Sequence, residues 1–339
     1  MLQKRSFKKI YKNYLEFFAA DHCVLKCWQC ANFSNVNYPK IAKLATFCKD
    51  LKTLAKIMHV ETLRFCGGEP LLNNEIVKFI KVAREINFAY TIGLCTNGIL
   101  LKDVDDELFS QIDYLNVSLY PLSNYRNLKI ERDSIIKIAK IKRKKYKFFL
   151  KFFEFYCFKP WRYSYVDLPI NNSPLVKRIY AACSRAKNCH TIYDGYYYKC
   201  AMPIYLRRYL INMQISSKNI LNYEKIDGVP LHQPDLYNRL ITYLNSDVPL
   251  KACNYCLGTS GKNMRIKQVS MKELKDSKTK KINMIEDLLD ISKLRESEKN
   301  ASVARSRSLK QMGILKKINK GIDKDALIRT VGLRDVDSF

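Results

Sequence analysis

Residues 14–30 read YLEFFAADHCVLKCWQC: an apolar, aromatic run ending at Ala20, then Cys23, Cys27 and Cys30 spaced C-x3-C-x2-C. The run has the texture of a buried strand, and the triad sits where that strand stops. Iron–sulfur clusters are normally held by four cysteine thiolates. Three thiolates around a four-iron cluster leave one iron without a protein ligand, open to a substrate or cofactor, unless a fourth ligand comes from far along the chain. The alternatives are a zinc site or buried free thiols. Zinc is usually bound through paired C-x2-C units, so the triad is read as a cluster motif.

Working outward, strand-like and helix-like segments alternate. Ile41 to Met58 has helical periodicity, with Leu44, Phe47, Leu51, Leu54 and Ile57 on one face. Thr62 to Cys66 is a short strand ending at Gly67-Gly68-Glu69-Pro70, and Asn74 to Ile86 is a helix. Tyr90 to Cys95 is a strand closed by Thr96-Asn97-Gly98, and Asp105 to Ile112 is helical. Leu115 to Tyr120 is a strand ending at Pro121, Asp133 to Ile141 is helical, and Phe148 to Tyr156 is a further strand. This alternation predicts βαβ units around a parallel sheet. The fold expected is α/β: a partial (β/α)6 TIM-like barrel, whose active site lies at the C-terminal strand ends. The triad, the GGEP stretch, the TNG turn and Ser118 all fall there.

From about Asn171 the texture changes. Cys183, Cys189, Cys200, Cys253 and Cys256 follow, with Asp194-Gly195 marking a hairpin. Residues 1–170 are read as the barrel core and 171–260 as a small auxiliary iron–sulfur domain. Residues 261–339 are read as a basic, helical or partly disordered extension. It carries Arg265, Lys267, Lys272, Lys275, Lys280 and Lys281, an amphipathic stretch from Ile282 to Leu294, and the flexible-looking ASVARSRSLK at 301–310.

The chain has 339 residues and 47% hydrophobic content, enough for a sizeable core. No run of about 18 apolar residues occurs, so no membrane span is expected. The N-terminus has no secretory cleavage pattern. The twelve cysteines cluster at metal-ligand spacings rather than as a disulfide framework. A cytoplasmic location follows as the expectation. The net charge of +28 favours an anionic partner, although the lysines are spread along the whole chain.

C-x3-C-x2-C after a first strand and GGEP after a second resemble the radical S-adenosylmethionine (SAM) enzymes. The resemblance implies that Cys23, Cys27 and Cys30 hold a [4Fe-4S] cluster whose free iron chelates the amino and carboxylate groups of SAM. It implies that Gly67, Gly68 and Glu69 face the methionine ammonium, and that Thr96, Asn97 and Ser118 contact ribose or carboxylate. Gln29 stands where the family usually has an aromatic residue near adenine, with Trp28 one position earlier.

The later cysteines, with Gly195 preceding Cys200 by G-x4-C, resemble the SPASM and twitch extensions that hold auxiliary [4Fe-4S] clusters. Five cysteines compete for four places in one such cluster: Cys200, Cys253 and Cys256 are the firmer ligands, beside Cys183 and Cys189. A structural zinc ribbon is the alternative. Residues 14 to 258 also resemble uncharacterised radical SAM proteins found with polysaccharide-synthesis genes.

These resemblances imply an oxidoreductase that cleaves SAM reductively to a 5′-deoxyadenosyl radical. The radical abstracts hydrogen from a substrate C–H bond, with a flavodoxin or ferredoxin as electron donor. An anionic sugar or nucleotide-sugar is one substrate class, and a peptide is the other. A non-enzymatic iron–sulfur or zinc protein binding nucleic acid is the third reading, less favoured because no reader motif accompanies the basic tail. His22 and His190 adjoin cluster cysteines and are candidates for supporting hydrogen bonds. Cys48, Cys66, Cys95 and Cys157 are read as buried small hydrophobes, and Tyr196 to Tyr198 as strand packing.

Overall fold

The computed structural model describes residues 9–36, 39–120, 132–154, 157–158, 169–170, 172–214, 221–276 and 288–296. Five strands alternate with helices: β1 (Ile10–Ala20), α1 (Leu44–Ala55), β2 (Met58–Gly67), α2 (Ile76–Glu85), β3 (Ala89–Thr96), α3 (Glu107–Gln111), β4 (Tyr114–Leu119), α4 (Arg132–Tyr146) and β5 (Phe149–Glu154). They lie side by side in the order β5-β4-β3-β2-β1, every pair parallel. This is the α/β, partial-barrel architecture expected. Among the described residues no sixth strand pairs with β5, which is the edge of the sheet; β6 (Cys157–Phe158) instead pairs antiparallel with β10 (Met264–Arg265).

Period-two alternation explains the layering. Leu15, Phe17 and Ala19 of β1 enter the main core, as do Leu115, Val117 and Leu119 of β4. Phe17 packs on Phe47 of α1 at 4.4 Å, on Phe79 of α2 at 5.6 Å and on Phe65 of β2 at 5.7 Å between ring centroids. Helix α1 buries Phe47, Leu51 and Leu54, the face read from periodicity, and with them Asp50. That carboxylate accepts from Gly195 N at 2.9 Å and bonds His232 Nε2 at 2.7 Å.

The other edge of β1 carries the second half of the chain. After α5 (Ser173–Ala182) and α6 (Ser184–Asn188), β7 (Thr191–Tyr193) pairs parallel with β1. Strands β8 (Tyr196–Tyr198) and β9 (Val229–Pro230) follow antiparallel. The β7–β8 turn is the Asp194-Gly195 pair, at φ 44° and 82°. Both central residues at positive φ make the tight turn that Asp-Gly favours. The cysteine-rich region thus extends the barrel's own sheet to eight strands. It is completed by α7 (Met202–Asn212), α8 (Tyr223–Ile226), α9 (Leu236–Asn245) and α10 (Met271–Asp276).

Asp21 ties the two halves. It is 2% exposed and accepts from Tyr193 Oη at 2.5 Å, Tyr205 Oη at 3.0 Å and Arg208 Nη1 at 2.7 Å. Asp21→Asn removes the charge that balances Arg208 and should cost about 3 kcal/mol, read as a lower urea midpoint.

Pro121, residues 155–156, residues 277–287 with Lys280 and Lys281, and the ASVARSRSLK segment lie outside the described residues. No helix among the described residues is long and apolar enough to cross a membrane.

Candidate active site at the strand ends

Strands β1 to β4 deliver four short segments to one end of the sheet. The first is the cysteine loop. Cys30 N donates to Cys27 O at 3.2 Å, closing a turn with Gln29 at φ 65°. A non-glycine residue in this left-handed region is uncommon and tends to mark functional sites. Gln29 is 5% exposed, and its Oε1 has no partner. Burial, then the neighbouring charges of Glu69, Cys30 and Cys27, push the Cys23 thiol up. Burial and then Cys30 push Cys27 up to about 12. Cys23 and Cys27, both held against ionisation by burial, are soft sulfur donors beside Cys30 on one loop. Among the described residues no group of three or more His, Cys, Asp or Glu side chains is arranged to hold a metal ion. Zinc draws sulfur to about 2.3 Å from one centre, whereas a four-iron cluster distributes its thiolates over several metals. The triad supplies the donor type such a cluster takes.

The second segment is Gly67-Gly68-Glu69. A Cβ on Gly68 would lie 2.1 Å from His22 O, and one on Gly67, at φ 144°, would lie 2.3 Å from Ala20 O. The glycines are thus demanded by the cysteine loop packed against them. Gly68 N donates to Ala20 O at 2.8 Å, and Glu69 N donates to His22 O at 2.9 Å.

Glu69 is fully buried, and its carboxylate is largely committed to the protein. Oε1 accepts from Leu71 N at 3.1 Å and Thr96 Oγ1 at 2.7 Å, and Oε2 accepts from Asn97 N at 2.9 Å. Three of roughly four acceptor positions are filled, so the side chain buckles β2 to the TNG turn of β3. Asn97 Nδ2 lies 3.5 Å from Cys23 Sγ, and Asn97 Oδ1 accepts from Ile99 N. Cys23, Glu69, Thr96 and Asn97 are one network.

Burial pushes the Glu69 carboxyl up to about 7 against those three hydrogen bonds. Its folded pKa then lies above the unfolded value, so the folded state binds the extra proton between them. Stability contributed by this group is greatest below about pH 4.5 and falls as pH rises to about 7, by about 3 kcal/mol. Glu69→Gln should abolish that slope while losing about 1–2 kcal/mol at the Asn97 bond. Urea midpoints at pH 5 and pH 8 for both proteins check this.

Ser118 is 7% exposed and lies 4.0 Å from Cys95 Sγ. Tyr120 bonds Ser118, and burial, then the charges of Cys27, Cys95 and Cys30, push the Tyr120 hydroxyl up. Below it, the inward positions form a polar side-chain cluster that the sequence reading missed. Arg64 lies 4.4 Å over the Tyr14 ring, its Nε donates to Tyr114 Oη at 3.3 Å, and Tyr14 Oη donates to Glu16 Oε1 at 2.9 Å. A Cβ on Gly93 would fall 1.8 Å from the Tyr114 ring, so glycine there lets the ring lie across β3 toward Arg64. Asn116 is 1% exposed with neither Nδ2 nor Oδ1 partnered. Leaving such groups unsatisfied costs about 1–3 kcal/mol each, so Asn116 calls for a ligand or water.

Of the five later cysteines, Cys183, Cys200 and Cys253 pack in one cluster with Tyr180 and Leu250, and Cys256 adjoins it through Gly258. Burial, then the charges of Cys200, Cys256 and Cys183, push Cys253 up; burial and then Cys183 do so for Cys200 and Cys256. Gly258 lies between two of them: its N donates to Cys256 Sγ at 3.3 Å, and a Cβ on it would lie 3.2 Å from Cys183 Sγ. Lys199, 3% exposed, stands beside this tetrad, donating to Tyr180 Oη at 2.8 Å and Ser246 O at 2.7 Å. Burial pushes the lysine down to about 8. Cys189 turns elsewhere: after burial, its chief influences are Glu16, Arg185 and Arg64, with Cys183 last. It belongs to the side of Glu16 and Arg64, with Cys66.

His190 is committed to Tyr197 Oη at 2.7 Å and Ala186 O at 3.1 Å, a structural role. His22 Nδ1 is buried without a partner beside Cys23. Tyr197 and Tyr198 are buried in the packing. A second feature absent from the sequence reading is Gln268, whose Nε2 lies 3.1 Å from Cys27 Sγ.

Residues 19–154 match the family described as the Radical SAM superfamily. The chain is 33% identical over 124 residues to GTP 3′,8-cyclase of Clostridium botulinum (strain Okra / Type B1), covering 35% of this chain and 39% of that protein. The chain thus spans about two-fifths of the length of the curated relatives it matches first. Among solved structures, BtrN in complex with AdoMet and 2-DOIA is similar at 17% identity and a TM-score of 0.41, covering 75% of this chain and 96% of that one. Streptococcus suis SuiB bound to S-adenosylmethionine is similar at 21% identity and a TM-score of 0.35, covering 42% and 33%.

Proposed function

We propose, from the premise that this chain carries a radical SAM domain over residues 19–154, that it is an enzyme oxidising a substrate at a C–H bond. A radical SAM domain implies a [4Fe-4S] cluster and SAM. Cys23, Cys27 and Cys30 would hold the first cluster, and Cys183, Cys200, Cys253 and Cys256 an auxiliary one. When bound, these groups supply a 5′-deoxyadenosyl radical that takes a hydrogen atom from the substrate, and an acceptor for the electron left behind. The protein's part is to bind, orient and exclude water.

The observation that carries this reading is the network joining Cys23, Asn97, Thr96 and Glu69. It fixes the ends of β1, β2 and β3 against one another at the C-terminal end of the sheet. Gly67, Gly68 and Ser118 complete that rim for SAM. Glu69 acts there chiefly by holding the turn, with one acceptor position left for an ammonium. The polar cluster beneath, with Arg64, Glu16 and the unsatisfied Asn116, would face the substrate. Arg64 suits an anionic group and Asn116 a hydroxyl or amide, which fits a sugar or nucleotide-sugar and equally a peptide carboxylate. A flavodoxin or ferredoxin would donate the electron, in the cytoplasm.

A second reading comes from the curated relatives: chemistry on a nucleoside triphosphate. Arg64 and the net charge of +28 support it, while Glu16 in the same polar cluster opposes a polyphosphate.

Anaerobic reconstitution tests both. About eight irons per chain and dithionite-dependent formation of 5′-deoxyadenosine are expected. Consumption of GTP would select the second reading, and deuterium transfer from a labelled sugar or peptide to 5′-deoxyadenosine the first. Absence of SAM cleavage at full iron loading would overturn the enzyme reading.

A further inference from the structure

The segment that follows the auxiliary cysteines returns to the first cluster loop. Strand β10 pairs with β6, and the next residues run alongside the triad: Trp28 N donates to Lys267 O at 2.9 Å, and Val269 N donates to Lys26 O at 3.0 Å. Cys27 and Gln268 face each other as an antiparallel bridge, and Lys267 lies 4.3 Å over the Trp28 ring. This strap is built on backbone pairing, so its register is fixed.

That register puts the Gln268 amide between two groups of the loop. Lys26 N lies 2.7 Å from Oε1, and Cys27 Sγ lies 3.1 Å from Nε2. A backbone N–H can only donate, so the amide oxygen must face Lys26. The NH2 is thereby aimed at sulfur, and a flip would set donor against donor. Reduction adds negative charge to a thiolate-bound cluster, and hydrogen bonds to its sulfurs are a main determinant of its potential.

We propose that Gln268 is a positioning residue for the first cluster: acting through Cys27 Sγ, its amide N–H stabilises the reduced state and raises the potential. The proposal rests on the reading of Cys27 as a cluster ligand. It makes closure of a segment 241 residues away along the chain a condition for easy reduction.

Two variants separate this from mere strap docking. Gln268→Glu keeps an oxygen for Lys26 N–H but replaces the donor at sulfur with a carboxylate. Gln268→Leu loses both. The full chain, anaerobically reconstituted, is titrated with a mediated reductant and followed by electron paramagnetic resonance. The first cluster is the one whose signal changes on adding SAM. At a fixed poise, the reduced-to-oxidised ratio should fall about tenfold in Gln268→Leu, equivalent to about 59 mV for one electron, and further in Gln268→Glu. Thermal melts should instead rank Gln268→Leu as the less stable variant. Equal ratios in all three proteins, or a Glu variant reduced as readily as wild type, would overturn the proposal and leave the enzyme reading intact. If Gln268→Glu fails to load, an unchanged ratio in Gln268→Leu by itself overturns the proposal. A wild-type chain with no SAM-responsive cluster overturns both.

Discussion

Cys27→Ala is expected to leave about four irons per chain instead of about eight. It should lower reductive SAM cleavage by roughly a thousandfold or more, over 4 kcal/mol in barrier terms. Cys27 has the most protein-enclosed sulfur of the triad: the residue is 6% exposed, bridged to the strap and held by Gln268. Two remaining thiolates cannot keep a cubane with one open iron. Cys48→Ala, at a half-buried position on α1, serves as the control and should keep full iron and full cleavage. Iron and sulfide assays with chromatographic quantification of 5′-deoxyadenosine read both outcomes. Intact cleavage in Cys27→Ala would remove the first cluster from Cys23, Cys27 and Cys30.

What the sequence made legible was local. Cys23, Cys27 and Cys30, the Gly67-Gly68-Glu69 stretch and the Asp194-Gly195 turn each carry their geometry in a few consecutive residues, because spacing and positive φ are set by neighbours. The alternation that places Leu115, Val117 and Leu119 on one face and Asn116 and Ser118 on the other is local too. What stayed hidden depends on distant contacts. Glu69 reads as a free acceptor until Thr96 and Asn97 are seen to fill it. Asp21 meets Arg208 across 187 residues. Residues 264–270, read as the start of a basic extension, form the strap at the first cluster loop. Arg64 and Asn116 lack a motif because the inward polar cluster is assembled one residue per strand.

The β1 edge explains why the two cysteine groups can share one frame. Strand β1 ends in the first triad and also pairs with β7, which leads into the region of Cys200. Glu16 lies on β1 opposite Thr191, near enough for Cys189 to feel its charge. The cysteine that departs from the tetrad is thus the one nearest the strand both halves use.

That assignment carries the second large effect. Cys183→Ala should lose about four irons per chain, whereas Cys189→Ala should keep about eight. Spacing alone cannot separate the two, since both precede Cys200 in the same short stretch. Position does: Cys183 Sγ lies against Gly258, whose N–H holds Cys256, while Cys189 lies toward Glu16 and Arg64. Both variants should retain SAM cleavage, because neither touches the first triad. Iron content combined with two distinguishable paramagnetic species in wild type and Cys189→Ala, against one in Cys183→Ala, is the measurement. The reverse pattern would place Cys189 in the auxiliary cluster. It would also require α6, between the two cysteines, to rearrange, and with it the Ala186 carbonyl that holds His190.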